Sequence, residues 1–177
     1  MTRAEAIAAG LAEVRARIAA AERAAGRAPG SVKLLAVSKK MPPDDVRTAR
    51  AVGQRAFGEN YAQELRDKRA ALAADPAPPE WHYIGPLQSN KVKYVAGQVA
   101  LIHTVDSAAL LEAIAARGVP QSCLIQVNVA GEAQKRGLAP SELPALLDRF
   151  AALPNVTCAG LMLIPPLTDD PEDARPH

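Results

Sequence analysis

Two lysines stand at the end of an apolar run near the amino terminus, in the segment KLLAVSKKMPP at 33–43. Leu34–Val37 has the composition of a strand buried on both faces, and a pair of prolines ends the segment. Since neighbouring strand side chains point to opposite faces, one of Lys39 and Lys40 should face the interior and the other the solvent. Two solvated charges are one interpretation. The other is an amine at the rim of an apolar interior, where burial disfavours the ammonium form and the neutral amine can attack a carbonyl.

The residues that follow the other apolar runs are mostly amides, glycines and further lysines. Glu59 and Asp106 are the only carboxylates close to predicted strand ends, so a hydrolase with paired carboxylates is poorly supported. No G-x-S-x-G motif supports a Ser-His-Asp nucleophile. His82 and His103 are far apart in the sequence and have no carboxylate ligand beside them, which favours ordinary polar residues over a metal site. A lysine in a neutral pocket with hydrogen-bonding amides remains, and that arrangement suits the capture of an aldehyde.

The elements that must position these residues alternate between helix and strand. Thr2 and Glu5 form a capping box that opens a long first helix, and Gly26 ends it. Strands are predicted at 32–38, 54–57, 82–84, 100–104, 123–129 and 156–164, and helices between them at 43–52, 61–72, 88–96, 107–117 and 140–152. Asp106 and Ser89 are the predicted caps of the helices that follow them. Such repeated units predict a parallel α/β sheet, open or closed into a barrel, with its chemistry at the carboxyl ends of the strands.

The composition limits the class of protein. The length of 177 residues suits one domain, 1–177, and 49% of the residues are hydrophobic, which is enough for a substantial core. The 21 basic and 19 acidic residues nearly balance, which predicts neither a nucleic-acid nor a membrane partner. Cys123 and Cys158 lack metal-site spacing and are expected to be buried free thiols in a reducing compartment. The amino-terminal segment is too charged for a signal peptide or membrane span, so a cytoplasmic protein is expected.

Six segments of the chain together carry a resemblance to a known family. They are, in order, LLAVSKKMP, FGENYAQEL, WHYIGPLQSNK, IHTVD, LIQVNVAGEAQKRG and GLMLIPP. In this order they resemble the pyridoxal phosphate homeostasis protein family, the PROSC-like pyridoxal-phosphate-binding proteins. The similarity runs from about Leu34 to Pro166, most of the chain. It implies a TIM-type (β/α) barrel of the alanine racemase N-terminal-domain kind, with the cofactor at the barrel mouth.

The resemblance also implies a set of cofactor contacts. The family's cofactor lysine ends the first strand in A-V-S-K, which corresponds to Lys39, so that Lys40 is the solvated lysine. The implied cofactor is pyridoxal 5'-phosphate (PLP), held as a Schiff base on Lys39. We also expect Asn60, His82 and Met162 to contact PLP. Each has an alternative role: Asn60 could be a helix cap, His82 a structural histidine and Met162 a plain core residue. No residue is expected to be catalytic or to bind a metal.

The function that the resemblance implies is a non-catalytic carrier, which buffers PLP in vitamin B6 homeostasis and passes it to PLP-dependent apoenzymes. The alternative is a PLP-dependent amino-acid racemase or decarboxylase on the same barrel. Racemases of that fold use a tyrosine base from a second domain or subunit, and Tyr61, Tyr83 and Tyr94 lie outside any recognised catalytic motif, which favours the carrier. Lys135 lies in a glycine-flanked loop and is interpreted as a solvated charge, with a second amine for the cofactor as the alternative.

The sequence departs from the family pattern at its carboxyl-terminal end. Six predicted strands stand where a closed barrel has eight. The family's S-M-G-M-S and R-I-G segments, which the resemblance assigns to the cofactor phosphate and ring nitrogen, do not occur. We therefore expect a barrel that is incomplete in this chain, C-terminally truncated relative to the family, and a weak hold on the phosphate.

Overall fold

A computed structural model describes residues 1–132 and 134–176 of the chain. Along these residues six strands alternate with helices, and each strand lies beside its neighbours in chain order. Every strand pairing that the structure describes is parallel. The chain forms two compact units that meet in sequence between Trp81 and His82. The expected parallel α/β arrangement is therefore confirmed, whereas a single domain over 1–177 stays a prediction.

The first unit is built from an amino-terminal helix and two strand–helix repeats. It contains α1 (Arg3–Ala24), β1 (Ala36–Val37), α2 (Pro43–Ala51), β2 (Ala56–Glu59), α3 (Ala62–Ala71) and the start of β3 (Glu80–Tyr83). The capping box predicted for α1 is present, because Thr2 Oγ1 accepts from Glu5 N at 3.2 Å and Glu5 Oε2 accepts from Thr2 N at 2.7 Å. Strand β1 pairs with β2, and Glu80 N donates to Arg55 O at 2.9 Å, so β3 begins beside β2.

The second unit continues the alternation with apolar strands buried against helices. It contains the end of β3, β4 (Leu101–Val105), α4 (Ala108–Ala115), β5 (Gln121–Gln126), α5 (Leu143–Ala151) and β6 (Val156–Met162). Its core includes Ile102, Leu111, Ile114 and Ile125, each fully buried. Short 3₁₀ helices lie at Ser89–Tyr94, Pro140–Glu142 and Pro171–Ala174. Among the described residues, none of the helices combines the length and the apolar character needed to cross a bilayer.

Three predicted helix caps are wrong. Ser107, not Asp106, caps α4, because its extended backbone lets Ser107 Oγ accept from Leu110 N at 3.3 Å. Ser89 caps no α-helix, since Ser89–Tyr94 forms a 3₁₀ helix that follows Gln88 and has no side-chain cap bond. Asn60 is not a cap either, because α3 begins after Tyr61.

The first strand is shorter than predicted for a local reason. The side-chain amide of Gln54 donates to Leu34 O and to Ala56 O, each at 2.8 Å. This side chain takes the place of backbone ladder bonds at Leu34, and β1 is confined to Ala36–Val37. At its other end β1 stops at Val37, so Lys39 and Lys40 lie beyond the strand.

Candidate functional site

Lys39 lies in a turn at the carboxyl end of β1. Ser38 N donates to Gly58 O at 3.0 Å, and Met41 N donates to Ser38 O at 3.0 Å, which closes the turn over 38–41. Because strand geometry ends before this turn, the alternation of side chains does not apply to the two lysines. Both Lys39 and Lys40 are exposed. The expectation that Lys39 is buried at a rim and that only Lys40 is solvated is therefore wrong for this structure.

The backbone of this turn has an unusual conformation. Lys40 has φ 62°, and it is the one non-glycine residue with a positive φ among the described residues. A side-chain-bearing residue in the left-handed region costs about 1–3 kcal/mol and persists where its surroundings hold it. The backbone N of Lys40 donates to Glu64 Oε1 at 2.5 Å. A carboxylate of α3 thus holds the turn in this conformation.

A buried ammonium lies directly beneath the turn. Lys68, at 4% exposure, donates from Nζ to Ser38 O at 2.5 Å, to Glu59 Oε1 at 2.7 Å and to Glu64 Oε1 at 2.8 Å. These three acceptors use all the donors that an ammonium has. The group is therefore engaged in structure and is not available as a reactive amine.

Glu59 is the fully buried acid of the same cluster. Its Oε1 accepts from Ser38 Oγ at 2.7 Å as well as from Lys68, while Oε2 has no hydrogen-bond partner among the described residues. Burial raises the pKa of Glu59, and the hydrogen bonds from Lys68 and Ser38 oppose that rise. The carboxyl serves as an acceptor for both neighbours and does not reach solvent.

Asn60 directly follows β2, the strand that pairs with β1. Val37 of β1 is paired with Gly58 of β2, and Lys39 and Asn60 each follow these partners by two residues. Asn60 is half-buried. The first unit thus places these two predicted contacts at the ends of neighbouring strands, and the adjacent Glu59, like Glu64, is bound to Lys68.

His82 and Met162 belong to the second unit. His82, on β3, and His103, on β4, are linked by an Nδ1–Nε2 contact of 2.8 Å. Burial, reinforced by His82, lowers the pKa of His103 to about 4. Met162 ends β6, is half-buried, and accepts from Val127 N through its carbonyl at 2.9 Å. Among the described residues no His/Cys/Asp/Glu group has the make-up of a metal site.

Lys135 is more enclosed than the sequence suggested. Its ammonium contacts Glu132 Oε1 at 2.5 Å and donates to Pro165 O at 3.0 Å, and its side chain is 25% exposed. The interpretation as a freely solvated loop charge is wrong, because the loop folds the chain back onto the segment after β6.

The two cysteines are register partners on β5 and β6, and both are free. Burial raises the pKa of the Cys123 thiol to about 12, and Cys158 is half-buried. The expectation of free thiols is confirmed, with Cys158 less buried than expected.

The residues that the sequence analysis missed are Lys68 and Glu64. Their spacing of four on α3 is that of a helical ion pair, and this was a local signal that could have been read. Their contact with the lysine turn was not readable, because Lys68 lies 30 residues from Ser38 in the chain.

Comparison with known proteins gives one consistent match. The profile of the alanine racemase N-terminal domain matches residues 10–176. A curated protein of Pseudomonas aeruginosa named pyridoxal phosphate homeostasis protein is 47% identical over 90% of this chain and 70% of its own length. A protein of the same name from Aquifex aeolicus is 43% identical, over 94% of this chain and 74% of its own length.

Solved structures agree with that match. A protein from Bifidobacterium adolescentis superposes with a TM-score of 0.89 at 36% identity, over 98% of this chain and 75% of its own. PipY of Synechococcus elongatus, solved with PLP bound, has a TM-score of 0.79 at 37% identity, over 96% of this chain and 76% of its own. Alanine racemase from Corynebacterium glutamicum, at 17% identity and a TM-score of 0.60 over 76% of this chain and 39% of its own, shares the fold. The predicted alanine-racemase-type fold is thereby confirmed.

Proposed function

The chain belongs to the pyridoxal phosphate homeostasis protein family, and from this membership we propose that it binds PLP, buffers it and passes it on. The similar protein PipY was solved with PLP bound, which supports PLP as the ligand of this chain. The observation that carries the proposal is the exposed amine of Lys39 on a turn whose two flanking residues are fixed by hydrogen bonds. PLP supplies an aldehyde, and a lysine amine condenses with an aldehyde as water leaves.

The groups around Lys39 fit this chemistry. An ammonium must lose its proton before it attacks a carbonyl, and a nearby free carboxylate would hold that proton. Glu59 and Glu64 both pair with Lys68, and neither carboxylate forms an ion pair with Lys39 among the described residues. Asn60 supplies a neutral amide at the adjacent strand end. We propose Lys39, Asn60, His82 and Met162 as the contacts to PLP.

We propose that the chain is a carrier and not an enzyme. Its relatives are named as homeostasis proteins. The racemase alternative needs a tyrosine that can accept a proton, and Tyr83 is ill suited, because burial raises its pKa to about 12 and its hydroxyl donates to Pro86 O at 3.1 Å. PLP-dependent apoenzymes as recipients and a cytoplasmic location belong to the same proposal.

Borohydride trapping tests the central claim. The purified chain is mixed with PLP, reduced and mapped by peptide mass, together with the variants Lys39→Ala and Lys40→Ala. We expect the adduct on Lys39 in the wild type and in Lys40→Ala, and its loss in Lys39→Ala. Lys40 is the matched control, since it is the neighbouring exposed lysine. An adduct mainly on Lys40, or spread evenly over surface lysines, contradicts the proposal.

A turnover assay separates the carrier from the enzyme. Alanine and related amino acids are incubated with the PLP-loaded chain, and racemised or decarboxylated product is measured. We expect no product beyond the amount that free PLP forms without the protein. Efficient turnover that disappears in Lys39→Ala would establish the enzyme instead.

A further inference from the structure

Two independent features of the first unit converge on the backbone around Lys39. The first is the left-handed conformation of Lys40, which a lysine adopts only at a cost. The second is the buried cluster of Lys68, Glu59 and Glu64. Its bonds reach Ser38 on one side of Lys39 and Lys40 on the other. Lys39 itself lies between these two anchors.

Burying the charged groups of this cluster costs free energy, which a purely structural role would not require. Removing an ammonium and a carboxylate from water has a large penalty, and an apolar pair of similar volume often stabilises a protein as well or better. Lys68 is 5% exposed and Glu59 0% exposed at the side chain. What an apolar pair cannot do is hold backbone groups at a given place, which is what Lys68 does at Ser38 O and Glu64 does at Lys40 N.

We propose that Lys68, Glu59 and Glu64 are positioning residues that fix the turn on both sides of Lys39 and so direct the capture of an aldehyde to that lysine. This inference rests on the proposed function, in which Lys39 takes PLP. Lys68 anchors the Ser38 carbonyl, Glu59 orients Lys68 and the Ser38 hydroxyl, and Glu64 holds the strained Lys40 amide. Their effect is on which lysine reacts and how fast.

A substitution of Glu64 can test the positioning role separately from an effect on the stability of the fold. Its side chain is 23% exposed, and its removal leaves Lys68 paired with Glu59 and Ser38 O, so no buried charge is stranded. Glu64→Ala removes the acceptor of Lys40 N, whereas Glu64→Gln keeps an oxygen that can accept from it. Asp67→Ala is the matched control, because Asp67 lies on the same helix and its carboxylate pairs with Arg66.

The experiment measures the initial rate of PLP adduct formation and the fraction of trapped adduct that lies on Lys39, well below the melting temperature of each variant. We expect Glu64→Ala to react about tenfold more slowly and to lose adduct from Lys39 to other lysines, since small misplacements of reacting groups have large effects on rate. Glu64→Gln should recover most of the rate and selectivity, and Asp67→Ala should match the wild type. A general loss of stability would not redirect the adduct.

Lys40→Val provides a second disturbance of the turn that leaves Glu64 and Lys68 unchanged. A β-branched residue is strongly disfavoured at positive φ, so the turn should shift and selectivity for Lys39 should fall. If Glu64→Ala and Lys40→Val both react at Lys39 as fast and as selectively as the wild type does, the positioning role alone is overturned. If the wild-type chain itself forms no adduct at Lys39, the proposed function is overturned and this inference with it.

Discussion

In the second unit, the contact between His82 and His103 bears on the charge state of His103. With 2.8 Å between His82 Nδ1 and His103 Nε2, one nitrogen must donate and the other accept. Burial and the proximity of His82 both oppose a proton on His103, which lowers its pKa to about 4. His103 is therefore a neutral imidazole at physiological pH.

The neutral state of His103 predicts how stability depends on pH. The folded pKa of His103, about 4, lies below the ordinary histidine pKa of 6.5, so the unfolded chain binds one more proton than the folded chain between these pH values. The contribution of His103 to the free energy of unfolding is therefore complete above about pH 6.5 and is lost as the pH falls towards 4. Its magnitude is on the order of 3 kcal/mol. Urea unfolding of wild type and His103→Gln at pH 7 and pH 4.5 should show a smaller loss for the variant. Equal losses in the two proteins would contradict the assignment.

At the scale of single elements, two neighbouring polar residues at the start of α4 have different roles. Ser107 Oγ accepts from Leu110 N, while Asp106 pairs with the exposed Arg136 at 3.0 Å. An N-cap bond satisfies a helix amide that otherwise has no partner, whereas an ion pair gains little when one partner is exposed, as Arg136 is at 54%. The two residues should therefore differ in their contribution to stability.

Alanine substitutions test this difference. Ser107→Ala should lower the free energy of unfolding by about 1 kcal/mol, the usual effect of losing a serine cap. Asp106→Ala should lower it by about 0.5 kcal/mol or less. Chemical unfolding of both variants at neutral pH measures the two values. If Asp106→Ala lowers the free energy of unfolding more than Ser107→Ala does, Ser107 is not the residue that caps α4.

The elements also show what sequence patterns could predict and what they could not. The capping box of α1 and the positions of the strands were predictable, because both depend on local spacing and hydrophobicity. The cap of α4 was predicted one residue early, since Asp and Ser are both good caps and only the backbone conformation at Ser107 decides between them. The place of Lys39 could be predicted from its motif, but its exposure and the Lys68 anchor could not. They depend on how α3 packs on β1 and β2, which no local pattern records.

At the scale of the whole molecule, four large apolar side chains at the end of β6 and just beyond it are exposed, and we call them the apolar strip. Leu161 is 52% exposed, Leu163 38%, Ile164 57% and Leu167 fully exposed. The strand beneath this strip is the last in the sheet order and pairs with β5 on one side. A strand at the end of a sheet with exposed apolar residues favours pairing with another chain.

We therefore expect this chain to self-associate through that strip. The weight-average mass from sedimentation equilibrium should rise above the monomer mass of 18.6 kDa as concentration increases, because each added contact removes apolar area from water. The double variant Leu161→Lys, Ile164→Lys should stay closer to the monomer mass, since two charges on the strip oppose its burial. Leu147→Lys is the control, as Leu147 is 41% exposed on α5 and is not one of the residues of the strip. Should Leu147→Lys reduce association as much as the double variant does, the effect would be one of net charge and the strip would not be the contact surface.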